Sequence, residues 1–210
     1  MASFLFPFRS VAVPRFSKVH ATARNSTNPQ QLNPQQNTTM SILITGGAGF
    51  IGNHLATKLS PPDSLRAIDI DPSPTSIVCL DNFNDYYDPT LKRTNAERIS
   101  KLPNVTVVEG DFCDFDFTKS LFEQHRFRYV VHLGAYAGVR ISVQRPEIYQ
   151  QTNVGGTLSL LEAARQFPVD RFILASSSTV YGNGAGNPFD EDAPLGIRAS
   201  PYGATKRAAE

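Results

Sequence analysis

The sequence has few cysteines, almost no net charge and no long apolar run, and each shortage excludes a class of protein. Cys79 and Cys113 are the only cysteines in 210 residues, and their distant, apolar positions indicate reduced packing residues rather than a disulfide framework or a metal site. The formal net charge is +1, so no broad field favours nucleic acid or an anionic membrane. No apolar stretch approaches the roughly 18 residues that a membrane-spanning helix needs. We expect a soluble protein of one domain or slightly more.

Acidic residues are missing from the beginning of the chain. No Asp or Glu occurs before Asp63, whereas residues 1–39 alone contain four Lys or Arg residues. This pattern is typical of an organellar transit peptide, but Met40 directly precedes the first predicted strand, as a natural start would, so an upstream extension is an equal alternative. We therefore expect residues 1–40 to be a disordered or targeting extension. The predicted compartment is the cytoplasm, or an organelle stroma or matrix if residues 1–39 are a transit peptide.

From Ser41 onward, short apolar runs alternate with helical patterns, as in a sheet built from strand-helix-strand units. The predicted strands are 42–45, 77–80, 105–109, 129–133 and 171–175. The predicted helices are 51–59, 91–101, 117–125 and 149–166. The runs are almost continuously hydrophobic, which is typical of parallel strands buried on both faces. The sequence thus predicts an α/β fold with a Rossmann-type doubly wound parallel sheet over residues 41–210.

A glycine-rich turn directly follows the first predicted strand. TGGAGFIG at 45–52 places Gly46, Gly49 and Gly52 between a strand and a helix. Glycines in this position let the backbone turn tightly and approach a pyrophosphate, whose negative charge faces the helix N-terminus. The turn therefore predicts a dinucleotide site.

An acid at the end of the second strand would accept hydrogen bonds from the adenosine ribose, and two residues are candidates. Asp69 lies nearer the usual interval of about 20 residues, whereas Asp81 follows the better strand, IVCL. We choose Asp81, because the intervening DPSPTS has the prolines of an inserted loop. An acid here repels a 2′-phosphate, which favours NAD over NADP.

A second group of polar residues follows the fifth predicted strand. SSSTVYG at 176–182 supplies Ser177, and YGATK places Tyr202 and Lys206 one turn apart on the same helix face. A tyrosine hydroxyl has an ordinary pKa near 10, so it needs a positive neighbour such as Lys206 to act as a base at neutral pH. Ser177 would hold the same substrate hydroxyl. These three residues are the predicted catalytic group.

Taken together, these elements resemble the extended short-chain dehydrogenase/reductases, the NAD-dependent epimerase/dehydratase family, over essentially residues 41–210. Within that family, DNFNDYYDPTLKR at 81–93 and HLGAYAGVRISVQRPEIYQQTNVGGT at 132–157 look most like UDP-glucuronate 4-epimerases. The resemblance implies an NAD site that adds further residues to the three glycines and Asp81: Phe50, Ile51, Asn82, Asp111, Phe112, Leu133, Gly134, Ala135, Tyr136, Asn153, Tyr202 and Lys206. Gly134 departs from the family, which usually has alanine there.

The resemblance also implies a reaction. Tyr202 would take the proton of the sugar 4-hydroxyl as hydride passes to NAD, and hydride would return to the other face of a 4-keto sugar. The substrate candidates are Arg140, Ser177 and Ser178. A homodimer through two helices, one of them at 149–166, is likewise implied.

Related dehydratases and decarboxylases are the nearest rival enzymes. In the resembling family, dehydratases carry Asp-Glu directly after the catalytic serine or threonine, where this chain has Ser178 and Thr179, and the decarboxylase has Glu where Val180 stands. The resemblance thus favours epimerisation of UDP-glucuronate to UDP-galacturonate. A UDP-glucose 4-epimerase, another nucleotide-sugar epimerase or dehydratase, and an inactive NAD-binding fragment remain alternatives. We expect the chain to be truncated before the C-terminal substrate domain of such enzymes.

Overall fold

The computed structural model describes residues 8–11, 40–66, 75–182, 189–190, 192, 196 and 200–210. Its strands are β1 Phe8–Val11, β2 Met40–Thr45, β3 Thr75–Asp81, β4 Val105–Glu109, β5 Tyr129–His132 and β6 Arg171–Ala175. They form one sheet in the order β1-β6-β5-β2-β3-β4. Strands β2 to β6 are parallel, and β1 is antiparallel to β6. The predicted doubly wound parallel sheet is confirmed, and the five predicted strands match the observed ones to within two residues.

Helices cover both faces of this sheet. They are α1 Phe50–Leu59, α2 Pro62–Arg66, α3 Pro89–Ser100, α4 Phe115–His125, α5 Val139–Gln144, α6 Pro146–Tyr149, α7 Thr157–Gln166 and α8 Pro201–Ala209. A π-helical segment, Gln150–Gly156, joins α6 to α7, and a 3₁₀ turn, Ser178–Tyr181, follows β6. The single helix predicted at 149–166 is therefore divided, because the wider turns of the π-helical segment interrupt its α-helical pattern.

The strand at Phe8–Val11 lies within the segment that the sequence placed outside the fold. Its backbone pairs with β6, with Phe8 opposite Ala175 and Val11 opposite Phe172. The edge of a sheet offers unpaired N–H and C=O groups to any extended segment, and four residues paired through their backbone leave little signature in a sequence. Residues 8–11 are therefore a sheet strand rather than part of a free extension.

The core consists of two apolar layers on opposite faces of the sheet, and β2 contributes to both. Leu43 packs in the layer covered by α4 and α7, whereas Ile42 and Ile44 pack in the layer covered by α1, α2 and α3. This alternation follows from the two-residue repeat of a strand. Within the described ranges, no helix combines the length and apolarity that crossing a membrane requires.

The strand order reverses between β2 and β5. The chain passes from β2 outward through β3 to β4, then returns to place β5 on the other side of β2. In open α/β sheets, a crevice forms beyond the carboxyl ends of the strands at such a reversal, and ligands bind there. The fold therefore predicts that a ligand binds between the loops that follow β2, β3 and β5.

Candidate active site

The glycine-rich turn connects β2 to α1 at this reversal point. Gly46 has a positive φ of 66°, a conformation that favours glycine. A Cβ on Gly52 would lie only 2.2 Å from the Gly46 carbonyl oxygen, so no side chain fits there. Helix α1 begins at Phe50 without a side-chain cap and without an acid in its first turn. Its free amide groups therefore suit an anionic ligand.

Asp81 lies at the end of β3, facing the turn. One carboxylate oxygen accepts a hydrogen bond from the Ala48 amide at 3.2 Å, and the other accepts one from the Phe83 amide at 3.0 Å. Lys92 approaches the second oxygen at 3.6 Å and donates to the Asn84 side chain at 2.8 Å. These contacts hold the carboxylate beside the turn, where the sequence placed it. The alternative acid, Asp69, lies outside the described residues.

A cleft of about 540 Å³ lies between these elements. Its wall contains many of the predicted cofactor residues: Gly46, Gly49, Phe50, Ile51, Gly52, Asp81, Asn82, Phe112, Leu133, Gly134 and Ala135. It also contains residues that the sequence analysis did not single out: Asn84, Tyr86, Tyr87, Leu91, Lys92, Thr94, Asn95 and Thr152. Most of these belong to the segment 81–93, and the family resemblance of that segment is the sequence signal that could identify them.

Some predicted residues lie outside the wall of this cleft: Asp111, Tyr136, Asn153, Tyr202 and Lys206. Asp111 lies at the border of the cleft. The Asp111 carboxylate accepts a hydrogen bond at 3.3 Å from the side-chain nitrogen of Asn82, which lines the cleft. Arg140 is exposed on α5, and Ser178 is exposed in the 3₁₀ turn. None of the three substrate candidates, Arg140, Ser177 and Ser178, lines the cleft.

The ring of Phe112 lies between two glycines. A Cβ on Gly134 would lie 2.6 Å from one ring carbon, and a Cβ on Gly156 would lie 2.3 Å from another. The ring also meets the buried side chain of His132 edge to face, with centroids 5.1 Å apart. The glycine at 134, which departs from the family pattern, therefore makes room for Phe112 in the cleft wall.

Asn153 links the loop after β5 to helix α8. Its side-chain oxygen accepts from the Tyr136 amide at 2.8 Å, and its nitrogen donates to the Tyr136 carbonyl at 2.9 Å and to the Thr205 hydroxyl at 3.2 Å. The residue is buried and lies within the π-helical segment, a feature that often occurs at functional sites. The Asn153 side chain therefore joins the loop after β5 to α8, and its role in holding the cofactor stays a prediction.

Helix α8 carries the predicted Tyr-x-x-x-Lys pair. Ser200 caps it by accepting from the Gly203 amide at 3.1 Å, and Pro201 suits its first turn. Tyr202 is half-buried and meets Tyr149 edge to face, with ring centroids 6.1 Å apart. Burial lowers the pKa of Lys206 to about 8, although the charge of Glu210 opposes this shift. Lys206 is thus a buried cation on the helix that presents Tyr202.

Ser177 caps the 3₁₀ turn that packs against this helix. Its hydroxyl oxygen accepts from the Thr179 amide at 3.3 Å and from the Thr179 hydroxyl at 2.9 Å. A Cβ on Gly203 would lie 2.9 Å from the Thr179 carbonyl oxygen, so the glycine permits this close approach. The turn that follows Ser177 therefore packs directly against the start of α8, which carries Tyr202.

His132 connects the cleft to the Asn153 segment. Its ring nitrogens lie 2.6 Å from the Thr45 hydroxyl and 3.0 Å from the Thr157 hydroxyl. Thr157 donates its one hydrogen to the Asn153 carbonyl, so Nε2 of His132 donates to Thr157 and Nδ1 accepts from Thr45. Burial, with a smaller contribution from Lys206, lowers the pKa of His132 to about 3. The imidazole is therefore a neutral structural bridge, which the sequence did not reveal.

Comparisons with known proteins agree on a family. The family model described as GDP-mannose 4,6 dehydratase matches residues 43–210. UDP-glucuronate 4-epimerase 6 of Arabidopsis thaliana is 40% identical over 172 residues, which are 81% of this chain and 35% of the relative.

Solved structures give the same result. The UDP-glucuronic acid 4-epimerase of Bacillus cereus, in complex with UDP-glucuronic acid and NAD, is 33% identical with a TM-score of 0.68, over 81% of this chain and 50% of that one. The UDP-Glc/GlcNAc 4-epimerase of Campylobacter jejuni is 30% identical with a TM-score of 0.68, over 81% and 46%. The chain spans about half or less of these relatives. Because the family model covers most of its residues, the chain belongs to the GDP-mannose 4,6 dehydratase family, within the extended short-chain dehydrogenase/reductases.

Proposed function

We propose that this chain is the NAD-binding part of a nucleotide-sugar 4-epimerase that converts UDP-glucuronate to UDP-galacturonate through a 4-keto intermediate. The observation that carries the proposal is the cleft at the sheet reversal, where the glycine-rich turn faces Asp81. The Tyr202 helix is fixed beside this cleft through Asn153, which binds both Tyr136 and Thr205. Names of relatives, including the Bacillus cereus enzyme solved with NAD and UDP-glucuronic acid, support the same chemistry.

The residues present fit NAD. The Asp81 carboxylate has about four lone-pair sites, and the Ala48 and Phe83 amides use two of them. Capacity therefore remains for ribose hydroxyls. A 2′-phosphate would meet the negative carboxylate, and although Lys92 is near, its ammonium group already pairs with Asp81 and Asn84. The pyrophosphate would lie against the turn at the start of α1, where the amide groups are free.

In the proposed mechanism, bound NAD supplies the acceptor and the donor of hydride at C4 of the sugar. The Tyr202 phenolate would take the proton of the 4-hydroxyl, become the neutral hydroxyl, and later return that proton. Lys206 places a positive charge one turn along the same helix, and with a pKa of about 8 it is mainly protonated at neutral pH. Ser177 accepts both of its hydrogen bonds from Thr179, so its own hydrogen is available to hold the substrate oxygen.

Epimerisation is preferred over dehydration, although the family model is named for a dehydratase. Elimination of water needs a further acid and base near the sugar, and the two positions after Ser177 are Ser178 and Thr179, which do not titrate at neutral pH. In addition, the Thr179 hydroxyl is engaged with Ser177 at 2.9 Å. The site thus supports proton and hydride transfer at one carbon.

Product analysis tests the proposal. The full-length gene product is incubated with NAD and either UDP-glucuronate or UDP-glucose, and the nucleotide sugars are separated by chromatography. We expect UDP-galacturonate from UDP-glucuronate, and a loss of at least about 100-fold in Tyr202→Phe, with Tyr181→Phe as the control. Faster conversion of UDP-glucose would mean that UDP-glucose, and not UDP-glucuronate, is the substrate. Binding of NAD without conversion of either sugar would reduce the assignment to a dinucleotide-binding module.

We also propose that the protein is a homodimer through α4 and α7. Helices α4 and α7 pack side by side, and Leu158 at the start of α7 has 65% of its surface exposed. A large apolar side chain in that position suits contact with a second copy. Light scattering after gel filtration should show a dimer that Leu158→Glu converts to a monomer, whereas Val143→Glu, on exposed α5, should not. A monomeric wild type would refute the dimer.

A further inference from the structure

The loop between β3 and α3, residues 82–88, closes one side of the cleft, and we call it the strap. Its side chains hold it in a fixed shape. The side-chain oxygen of Asn82 accepts a hydrogen bond from the backbone N–H of Asn84 at 3.2 Å. The side-chain oxygen of Asn84 accepts one from the backbone N–H of Tyr86 at 3.3 Å and one from the Lys92 ammonium group at 2.8 Å. At its end, Asp88 caps α3 by accepting from the Thr90 amide at 2.9 Å. The strap is therefore a preformed element rather than a loose loop.

Tyr86 connects the strap to the opposite side of the cleft. Its hydroxyl donates to the Ala137 carbonyl, in the loop after β5, at 2.7 Å. Strands β3 and β5 flank β2 on either side, so this one hydrogen bond joins the two loops that border the glycine-rich turn. The Tyr86 side chain is itself part of the cleft wall and is 36% exposed. The contact thus spans the rim of the cleft instead of belonging to the core.

The acceptor side is also shaped for this contact. Gly138 has a positive φ of 90°, and a Cβ there would lie 2.7 Å from the Tyr86 hydroxyl. Any side chain at 138 would therefore displace Tyr86. The Tyr149 hydroxyl donates to the same Ala137 carbonyl at 2.5 Å from the buried side. The carbonyl is held from below by a buried tyrosine and is reached from the strap by an exposed one.

We propose that Tyr86 is the latch of the cofactor cleft, and that its bond to Ala137 opens whenever NAD enters or leaves. This inference rests on the proposed binding of NAD. The bond joins one protein group to another and uses no atom of a ligand, so it stabilises the closed cleft equally with and without NAD. Its loss should therefore speed entry and release alike and leave the equilibrium affinity unchanged. A residue that merely shapes the site, or that contacts the cofactor, would change the affinity.

Stopped-flow measurement of NADH binding to the full chain tests this proposal, with NADH fluorescence as the signal. Tyr86→Phe removes one hydroxyl and keeps the ring. An exposed neutral hydrogen bond of this kind corresponds to roughly a fivefold change, so both the association and the release rate constants should rise about fivefold, with Kd within twofold of wild type. Tyr129→Phe removes a tyrosine hydroxyl from the far end of β5 and should leave both rates unchanged.

The outcomes separate this inference from the proposed function. Unchanged rates in Tyr86→Phe, or faster release with a proportionally weaker affinity, would overturn the latch while leaving NAD binding in place. Failure of the wild-type chain to bind NADH or NAD would overturn both. Because phenylalanine fits the same space as tyrosine, the variant should fold, and a cooperative melting transition within about 4 °C of wild type confirms that it has.

Discussion

Replacing Gly134 with alanine should test how the cleft wall is packed. The added Cβ would lie 2.6 Å from a ring carbon of Phe112 and 3.2 Å from the Thr45 hydroxyl, whereas carbon atoms prefer separations of about 3.5–4.0 Å. The ring cannot simply move away, because Gly156 borders it on another side. Overpacking of this size costs about 2 kcal/mol in the free energy of unfolding.

A double-mutant cycle isolates the contact. Phe112→Leu alone should cost about 1.5 kcal/mol, less than the 3–5 kcal/mol typical of a full truncation to alanine. In Gly134→Ala with Phe112→Leu, the new methyl group occupies the space that the ring vacates, so the double variant should be about as stable as Phe112→Leu alone. The expected coupling is therefore about 2 kcal/mol in favour of the pair, within the range measured for residues in contact.

Urea unfolding followed by circular dichroism, at pH 7 for all four proteins, supplies the free energies. Gly155→Ala is the matched control, since a Cβ there would make only an ordinary contact at 3.9 Å, and it should change stability by less than about 1 kcal/mol. Two single changes that add without coupling would show that Phe112 does not need the glycine. That result would refute the close packing of this wall.

Three further predictions follow from the buried and charged groups. Burial lowers the pKa of His132 to about 3 from an ordinary 6.5, so the unfolded state binds the proton first as the pH falls; wild type should lose about 2 kcal/mol between pH 6.5 and pH 5 from this residue. His132→Gln should lack that loss in urea unfolding, unlike the exposed control His54→Gln, and equal acid sensitivity in wild type and His132→Gln would contradict the neutral bridge. Lys206→Met should lower kcat about 100-fold at pH 7 while Lys206→Arg retains more activity, measured by steady-state kinetics; equal losses would show that the charge is not what matters. Asp81→Asn should reduce the preference for NAD over NADP at least about tenfold in titration calorimetry, because the neutral amide no longer repels a 2′-phosphate and leaves Lys92 free to attract it; an unchanged preference would place the ribose elsewhere.

Sequence reasoning succeeded where local pattern and chain order carry the information. The buried parallel strands appear as apolar runs. The glycines at 46, 49 and 52 predict a dinucleotide site because a strand precedes them and a helix follows. Asp81 likewise ends a strand of buried apolar residues, and its carboxylate lies against the glycine-rich turn.

Features that depend on contacts between distant residues could not be predicted in this way. The space that Gly134 leaves for Phe112 is visible only once two loops and a helix are in place. The bond from Tyr86 to Ala137 joins residues 51 positions apart, and Asn153 in the π-helical segment is hydrogen bonded to the loop after β5 and to α8. A backbone-paired strand such as Phe8–Val11 leaves even less trace, because almost any short extended segment can pair with an exposed edge.

The central claim is that hydride leaves C4 of the sugar and returns to the same carbon. It is tested most directly with UDP-glucuronate that carries deuterium at C4, incubated with the full-length gene product and NAD and followed by proton and deuterium NMR. The account predicts UDP-galacturonate that retains deuterium at C4, without net formation of NADH. Product with hydrogen from solvent at C4, or recovery of unchanged substrate from protein that has bound NAD, would contradict it.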